Sequence, residues 1–276
     1  MKADIILVTY NHSRFVQEAL AGIAKQQYSF TPQIIVADDF SADGTLNIIK
    51  DYIKSLHYEV KILHRERNLG ILKNYKEAFS MTGGDYIFIL EGDDYWTDPL
   101  RLQKHVDFMD SNPECVMTMN RFTEYWQEKN EYHLPDWPYP EDYAFITTRM
   151  LAGGNRLGNL SACCIRTSAW RKIEKGIFDI PVADWMIGMA LGEYGSIALL
   201  KEPMSVYRKS ATGLWSGMNP DKEKAFLLEL IDIYDRYLGF RYHKEFEAYK
   251  MRIRGISKKN ESKGFFNKIL SRLEKR

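Results

Sequence analysis

The strongest constraint on the fold is an alternation that fills the first hundred residues, where short β-rich runs take turns with segments of helical period. Residues 4–9 read as a strand, and residues 13–25 as a helix with Phe15, Ala19, Leu20 and Ile23 on one face. Residues 33–37 form a second strand, followed by a turn over 38–44 and a helix with Leu46, Ile49, Tyr52 and Ile53 inward. A third strand is expected at 60–64, a helix at 70–81, and a fourth strand at 85–90. That last run is so apolar that it belongs at the centre of a sheet, covered on both faces. Strands and helices in this rhythm build an α/β fold with a mostly parallel central sheet flanked by helices.

Ligands of open α/β sheets bind outside the carboxyl ends of the strands. Here every such end is polar. The first strand runs into Thr9-Tyr10-Asn11-His12, the second into Asp38-Asp39, the third into Arg65-Glu66-Arg67-Asn68, and the fourth into Glu91-Gly92-Asp93-Asp94.

Beyond Pro99 the pattern predicts a helix over 100–109, a strand at 115–119 and an aromatic, proline-containing stretch through Tyr143, of the kind that faces substrate. Further strands are expected at 161–165 and 196–200, and a helix at 185–191. Residues 221–254 read as helical, with Phe226, Leu230, Ile233, Tyr234 and Tyr237 at helical spacing. The division expected is a domain over 1–217 and a helical C-terminal extension over 218–276.

The extension carries most of the charge asymmetry. Residues 250–276 hold ten Lys or Arg and two Glu, a net charge of +8 in a chain whose total is +1. Within it, Phe265, Phe266, Ile269, Leu270 and Leu273 form one apolar stripe. Two roles are open for this segment: a helix packed on the body with a solvated basic face, or a surface for anionic membrane through residues 257–276. Nucleic acid is not expected as a partner, since no recognition fold or stacking platform accompanies the charge. With 276 residues and 45% hydrophobic composition the chain buries a sizeable core. It shows no signal h-region and no apolar run of roughly 18 residues, so a cytoplasmic location, with peripheral attachment through the tail, is expected. Cys115, Cys163 and Cys164 form no CxxC pair, which points to reduced structural thiols and away from zinc or disulfides.

Two or three carboxylates within four residues at the end of a buried strand repel one another unless a cation or donor groups compensate them. Glu91-Gly92-Asp93-Asp94 is therefore either a solvated acidic turn or a site for Mg²⁺ or Mn²⁺ on a pyrophosphate. The same choice recurs elsewhere: Asp38 and Asp39 suit a turn and helix cap, Asn68-Leu69-Gly70 a bare turn, and Asp184 a helix N-cap.

Taken in order, Val8-Thr9-Tyr10-Asn11-His12, Asp38-Asp39-Phe40-Ser41-Ala42-Asp43-Gly44-Thr45, Asn68-Leu69-Gly70, Gly84-Asp85-Tyr86 with Glu91-Gly92-Asp93-Asp94-Tyr95-Trp96, Asp98-Pro99, Asp184-Trp185 and Tyr207-Arg208 resemble the family 2 glycosyltransferases of the GT-A fold. The resemblance covers roughly residues 3–217. It implies an inverting transferase that moves a sugar from a nucleoside diphosphate sugar, a UDP-sugar foremost, to a saccharide or lipid-linked saccharide acceptor in bacterial surface polysaccharide or glycolipid assembly. Thr9, Tyr10 and Asn11 would line the nucleotide pocket, Asp38 or Asp39 would accept from the base, and Asn68 and Gly70 would lie under the nucleotide.

In the acidic motif the family usually has Asp where this chain has Glu91, so the resemblance makes Glu91 and Gly92 donor contacts and Asp93 the principal ligand of Mn²⁺ or Mg²⁺. Glu91 and Asp94 are further metal candidates, Asp94 with the alternative of holding a group behind the ligand. Asp184 stands where the family keeps its catalytic base; the usual Glu-Asp is Ala183-Asp184 here, which leaves Asp184 alone. Arg208, near Trp215-Ser216, resembles the flexible basic segment that closes over donor phosphates, with a solvated surface arginine as the plain alternative. Trp96, Asn159, Ser161 and Trp185 are candidates for the acceptor side, with a core role equally open for the tryptophans.

Other classes fit less well. A dehydrogenase or sugar nucleotidyltransferase on a similar sheet lacks support, because no G-x-G-x-x-G follows the first strand and no G-x-x-x-x-G-K-[ST] occurs. A catalytically silent binder of sugar nucleotides or of a partner is opposed by the presence of Asp93 and Asp184.

Overall fold

A computed structural model of the chain describes residues 1–173, 175–181, 184–210 and 219–255. The first half alternates as the sequence predicts: β1 (Lys2–Thr9), α1 (Val16–Ala24), β2 (Thr31–Asp38), α2 (Thr45–Ile53), β3 (Glu59–Ile62), α3 (Ile71–Ser80) and β4 (Tyr86–Glu91). Then come β5 (Tyr95–Trp96), α4 (Arg101–Ser111), β6 (Cys115–Trp126), β7 (Glu131–His133), β8 (Tyr143–Ile146) and α5 (Thr148–Ala152). A 3₁₀ turn at Leu160–Ala162 leads into β9 (Cys163–Arg166) and α6 (Thr167–Trp170). The remaining elements are α7 (Asp184–Gly192), β10 (Ser196–Lys209), α8 (Pro220–Tyr237) and α9 (His243–Ile253).

The sheet runs β3-β2-β1-β4-β9-β6-β10-β5, with β7 on β6 and β8 on β10. β1 to β4 are parallel neighbours, and β6 and β10 are parallel to each other. β9 lies antiparallel between β4 and β6, so β6 and β10 point the same way as the first four strands. The mostly parallel reading therefore holds, with β5, β7, β8 and β9 reversed.

Register does the positioning. Thr9 pairs with Asp38 and Val8 with Glu91, so the polar ends of β1, β2 and β4 form one line at one edge of the sheet. Behind that edge β1 and β4 are buried almost throughout, between a cluster on one face that includes Leu20, Ile23 and Ile49 and a cluster on the other that includes Tyr75, Phe79 and Leu191. The three cysteines are free and buried, as expected.

The strand expected at 115–119 extends to Trp126, and the one expected at 196–200 extends to Lys209, because the two pair along nearly their whole length. That pairing carries both strands past the core edge to the acidic motif. The expected strand at 161–165 starts only at Cys163, after the 3₁₀ turn. The helical stretch over 221–254 is two helices, since Gly239 and Phe240 both take left-handed backbone, with φ of 60° at each. Asn219 caps α8, its side chain accepting from the Asp221 N–H, and Asp221 and Glu223 complement the dipole of the first turn. No helix among the described residues is long and apolar enough to cross a membrane. The expected boundary at 217/218 and the basic tail from 257 lie outside the described residues.

The C-terminal helices are docked through Trp185, whose packing supports the core role of the two open to it. Its ring is 2% exposed, its Nε1 donates to the Leu151 carbonyl at 2.8 Å, and it meets Tyr234, Phe246 and Tyr249 at 5.3, 6.4 and 5.9 Å between ring centroids. A large aromatic ring contacting α5, α8 and α9 at once is the core of that layer. Trp185→Ala is expected to lower unfolding free energy by about 3–5 kcal/mol in urea denaturation, as large-to-small changes of buried aromatics do. A loss under about 1 kcal/mol would contradict this packing role.

Candidate active site

The floor of the site is built by carboxylates that hold backbone. Thr9 Oγ1 donates to Asp38 at 2.9 Å, and Asp38 also accepts from the Ser41 N–H at 3.0 Å. Both oxygens of Asp39 accept backbone N–H groups, from Leu69 at 2.7 Å and Gly70 at 2.9 Å, while the Asn68 amide donates to the Asp39 carbonyl at 3.2 Å. Asn11, left-handed at φ 55°, receives the Ala42 N–H on its side chain and donates its own N–H to Ser41 Oγ. Three motifs far apart in sequence are thus one surface at the ends of β1, β2 and the turn before α3. Tyr10 and Phe40 stand exposed beside it, at 48% and 52%. Asp38 and Asp39 are buried, so their part is to shape this floor.

The acidic motif divides by environment. Gly92 is where β1 passes closest: a Cβ there would meet Thr9 Cγ2 at 2.4 Å and His12 Nδ1 at 3.0 Å, and the Gly92 N–H donates to the Val8 carbonyl at 2.8 Å. Glu91 accepts the Tyr75 hydroxyl at 2.7 Å. Burial and then the Asp93 charge push its carboxyl up to about 7, against the pull of Tyr75, and the Asp184 charge adds to the rise. Asp93 is the open member, with a third of its side chain exposed and His12 Nε2 4.0 Å away.

Asp94 is 1% exposed and fully engaged, accepting from the Asn159 amide at 2.7 Å and from the Arg208 N–H at 2.8 Å. Burial, joined by the charges of Asp93 and Glu91, drives it well above the usual carboxylate range. Its hydrogen bonds tie it to the segment before β9 and to the far end of β10.

Arg208 requires a correction. It is 7% exposed, not part of a mobile cover: its Nε donates to the Asp93 carbonyl at 2.8 Å, one Nη donates to Gln127 at 2.5 Å and the other pairs with Glu18. Its guanidinium lies over the rings of Phe15, Tyr125 and Tyr95 at 4.7, 5.1 and 5.7 Å. Guanidinium favours such stacked, multiply bonded settings, and here it clamps the acidic turn from behind. Trp215 and Ser216 lie outside the described residues.

The other candidates for the acceptor side also support the turn. Trp96 is 3% exposed, donates to the Ser161 carbonyl at 2.9 Å and stacks on the buried Arg101 at 4.4 Å. Ser161 Oγ accepts the Glu91 N–H at 3.0 Å. Asn159 serves Asp94. Each is tied to the stretch from Glu91 to Trp96.

Asp184 opens α7, as an N-terminal acid should. Burial raises its carboxyl to about 6, while the Asn155 amide, at 3.1 Å, and the Trp185 N–H hold it down. Ala183 lies outside the described residues. Tyr75, Asn155, Glu18 and Gln127 carry no motif signal, and only their partners in space mark them.

The residues present fit a divalent cation. Asp93 is open, Glu91 is destabilised as an anion by burial and then by the Asp93 charge, and Mg²⁺ characteristically takes one or two protein carboxylates and completes its shell with phosphates and water. Among the described residues no cluster of three or more such side chains forms a closed metal cage.

Comparison with known proteins identifies the family. The model of the family described as Glycosyl transferase family 2 matches residues 4–173. The Mycobacterium tuberculosis protein Rv1520 is 31% identical over 222 residues, which are 80% of this chain and 62% of that protein. The chain thus spans less than two thirds of that relative's length. The putative glycosyltransferase EpsE of Bacillus subtilis is 32% identical over 111 residues, 40% of this chain and 39% of EpsE. Among solved structures, Staphylococcus aureus TarS 1–349 in complex with UDP-GlcNAc superposes with a TM-score of 0.69 at 20% identity, covering 94% of this chain and 74% of that one. At that identity the likeness is one of fold. TarS is a poly(ribitol-phosphate) β-N-acetylglucosaminyltransferase, and a 96-residue stretch, 34% of this chain and 17% of TarS, is 32% identical.

Proposed function

The chain belongs to glycosyl transferase family 2, with a GT-A-type α/β fold, and from that premise we propose that it transfers a sugar from a UDP-sugar to an acceptor hydroxyl with inversion. The observation that carries this reading is that an open acid, Asp93 at the end of β4, and a second acid, Asp184 at the head of α7, are joined by one short segment: the Asn159 amide donates to Asp94 beside Asp93, and the Asn155 amide donates to Asp184. A donor diphosphate and an acceptor hydroxyl need two separately placed acids of this kind.

The floor of Thr9, Asp38, Asp39, Asn68 and Gly70 receives the nucleoside, with Tyr10 at its rim. Asp93 would hold Mn²⁺ or Mg²⁺, with Glu91 beside it. When bound, the cation supplies positive charge that neutralises the diphosphate leaving group. Arg208 and Asp94 keep the backbone of that turn fixed. Asp184 takes the proton from the acceptor hydroxyl while that oxygen bonds to the anomeric carbon, and the bond from that carbon to the diphosphate oxygen breaks on the opposite face. A carboxyl raised to about 6 is still charged at neutral pH and more basic than an ordinary aspartate, which suits a general base.

A surface polysaccharide or lipid-linked saccharide is the acceptor class we assign, supported by a Bacillus subtilis relative named a putative teichuronic acid biosynthesis glycosyltransferase. The basic tail extends that reading: residues 250–276, at net +8, would hold the enzyme to an anionic membrane where such acceptors reside.

Asp184→Asn should lower kcat about 10²–10⁴-fold while UDP affinity changes less than about twofold, measured by transfer from UDP-sugars and by calorimetry. Because the base works only when charged, kcat/KM of the native enzyme should fall as pH drops through about 6. Near-normal turnover of Asp184→Asn would refute the base assignment. Deleting residues 257–276 should weaken cosedimentation with phosphatidylglycerol vesicles at low salt more than at high salt; unchanged binding would remove the membrane role.

A further inference from the structure

Residues 153–161 link α5 to β9, yet they touch both halves of the site. The Asn155 side chain donates to Asp184 Oδ2 at 3.1 Å and accepts the Leu157 N–H at 3.0 Å, so its amide has one orientation that satisfies both bonds. Four residues on, the Asn159 amide donates to Asp94 at 2.7 Å, and Ser161 Oγ receives the Glu91 N–H at 3.0 Å. The base and the acidic turn are thereby tied to one short segment.

The segment is itself seated on three elements. Leu157, 2% exposed, fills the space over Gly188, where a Cβ would lie 2.1 Å from Leu157 Cδ1. Gly188 is four residues after Asp184 on α7, so the leucine contact and the Asn155 bond grip the same helix one turn apart. Gly158, at φ 92°, packs on Phe122 of β6, which a Cβ would meet at 2.2 Å. Gly154, at φ 141°, faces Tyr249 of α9. Glycine is required at both places, by backbone and, at Gly158, by space.

We infer that residues 153–161 form a two-armed brace that sets the catalytic base against the acidic turn, Asn155 positioning Asp184 and Asn159 positioning Asp94. This rests on the transferase reading for the roles of the two acids, but the brace itself is a matter of hydrogen bonds. The two arms act on different functions. Asn155 orients the carboxylate that takes the proton and favours its charged form. Asn159 keeps Asp94, and with it the carbonyl and side chain of Asp93, in place for the donor diphosphate. The Asp184 charge is felt at Glu91, Tyr207 and Cys163, while the side-chain hydrogen bond that lowers the Asp184 carboxyl comes from Asn155.

The test compares Asn155→Ala and Asn159→Ala with the native chain by three readouts: carboxyl-carbon NMR titration of Asp184, assigned by its loss in Asp184→Asn; calorimetry with UDP and Mn²⁺; and turnover of UDP-sugars. Asn155→Ala should raise the Asp184 midpoint by about half a pH unit or more, since a donor to the charged form is lost. It should also lower kcat about 10-fold or more, with UDP affinity in Mn²⁺ unchanged. Asn159→Ala should weaken UDP binding in Mn²⁺ about 10-fold and leave the Asp184 midpoint where it was. Asn155→Ser replaces the alanine variant if that one does not fold. An unmoved Asp184 midpoint in Asn155→Ala, or the same losses from both variants, overturns the brace. A native chain that turns over no UDP-sugar would overturn the transferase reading, and the titration would still decide the brace.

Discussion

The carboxylate of Asp94 accepts from the Asn159 amide and from the Arg208 N–H, and these two bonds join the acidic turn, the segment before β9 and the far end of β10. A carboxylate taken out of water is costly unless donors replace its hydration. Asp94 is fully buried beside two other acids, so its position is tolerable only with both donors in place. The rest of the site follows from that requirement. β10 must run past the core edge to bring Arg208 N to it, and Arg208 then clamps the Asp93 carbonyl and is held in turn by Glu18, Gln127 and three aromatic rings.

With Asp94 committed, the remaining acids separate by environment. Tyr75 engages Glu91, Asn155 engages Asp184, and Asp93 keeps an open carboxylate. Burial raises both the Glu91 and Asp184 carboxyls, and at Glu91 the neighbouring Asp93 charge adds to the rise. Like charges gathered on a preorganised frame are what a cation and a charged leaving group require of a protein.

Much of this was legible in the chain. β1, β2 and β4 are apolar runs that stop at polar residues, and parallel register then has one outcome: Thr9 beside Asp38, and Val8 beside Glu91. Asp184 at the head of a helix also agrees with the sequence. The division between Asp93 and Asp94 was not legible, because it depends on donors 65 and 114 residues away. The resemblance reads Arg208 as part of a closing segment, and the sequence leaves the two tryptophans open between acceptor and core; the partners that bury them, Glu18 for Arg208, Arg101 for Trp96 and the C-terminal helices for Trp185, are distant in sequence. β5, β7 and β8 span two to four residues, too few for alternation to register, and the break between α8 and α9 hides in an unbroken apolar spacing.

The central claim is that Asp93, the open member of the three clustered acids, is the principal group that meets a cation and a diphosphate. Calorimetric titration of UDP with and without Mn²⁺, in the native chain and in Asp93→Ala, tests it most directly. The account predicts that Mn²⁺ tightens UDP binding to the native chain about 10-fold or more and that Asp93→Ala loses this gain. An Asp93→Ala protein in which Mn²⁺ tightens UDP binding as much as before would contradict it.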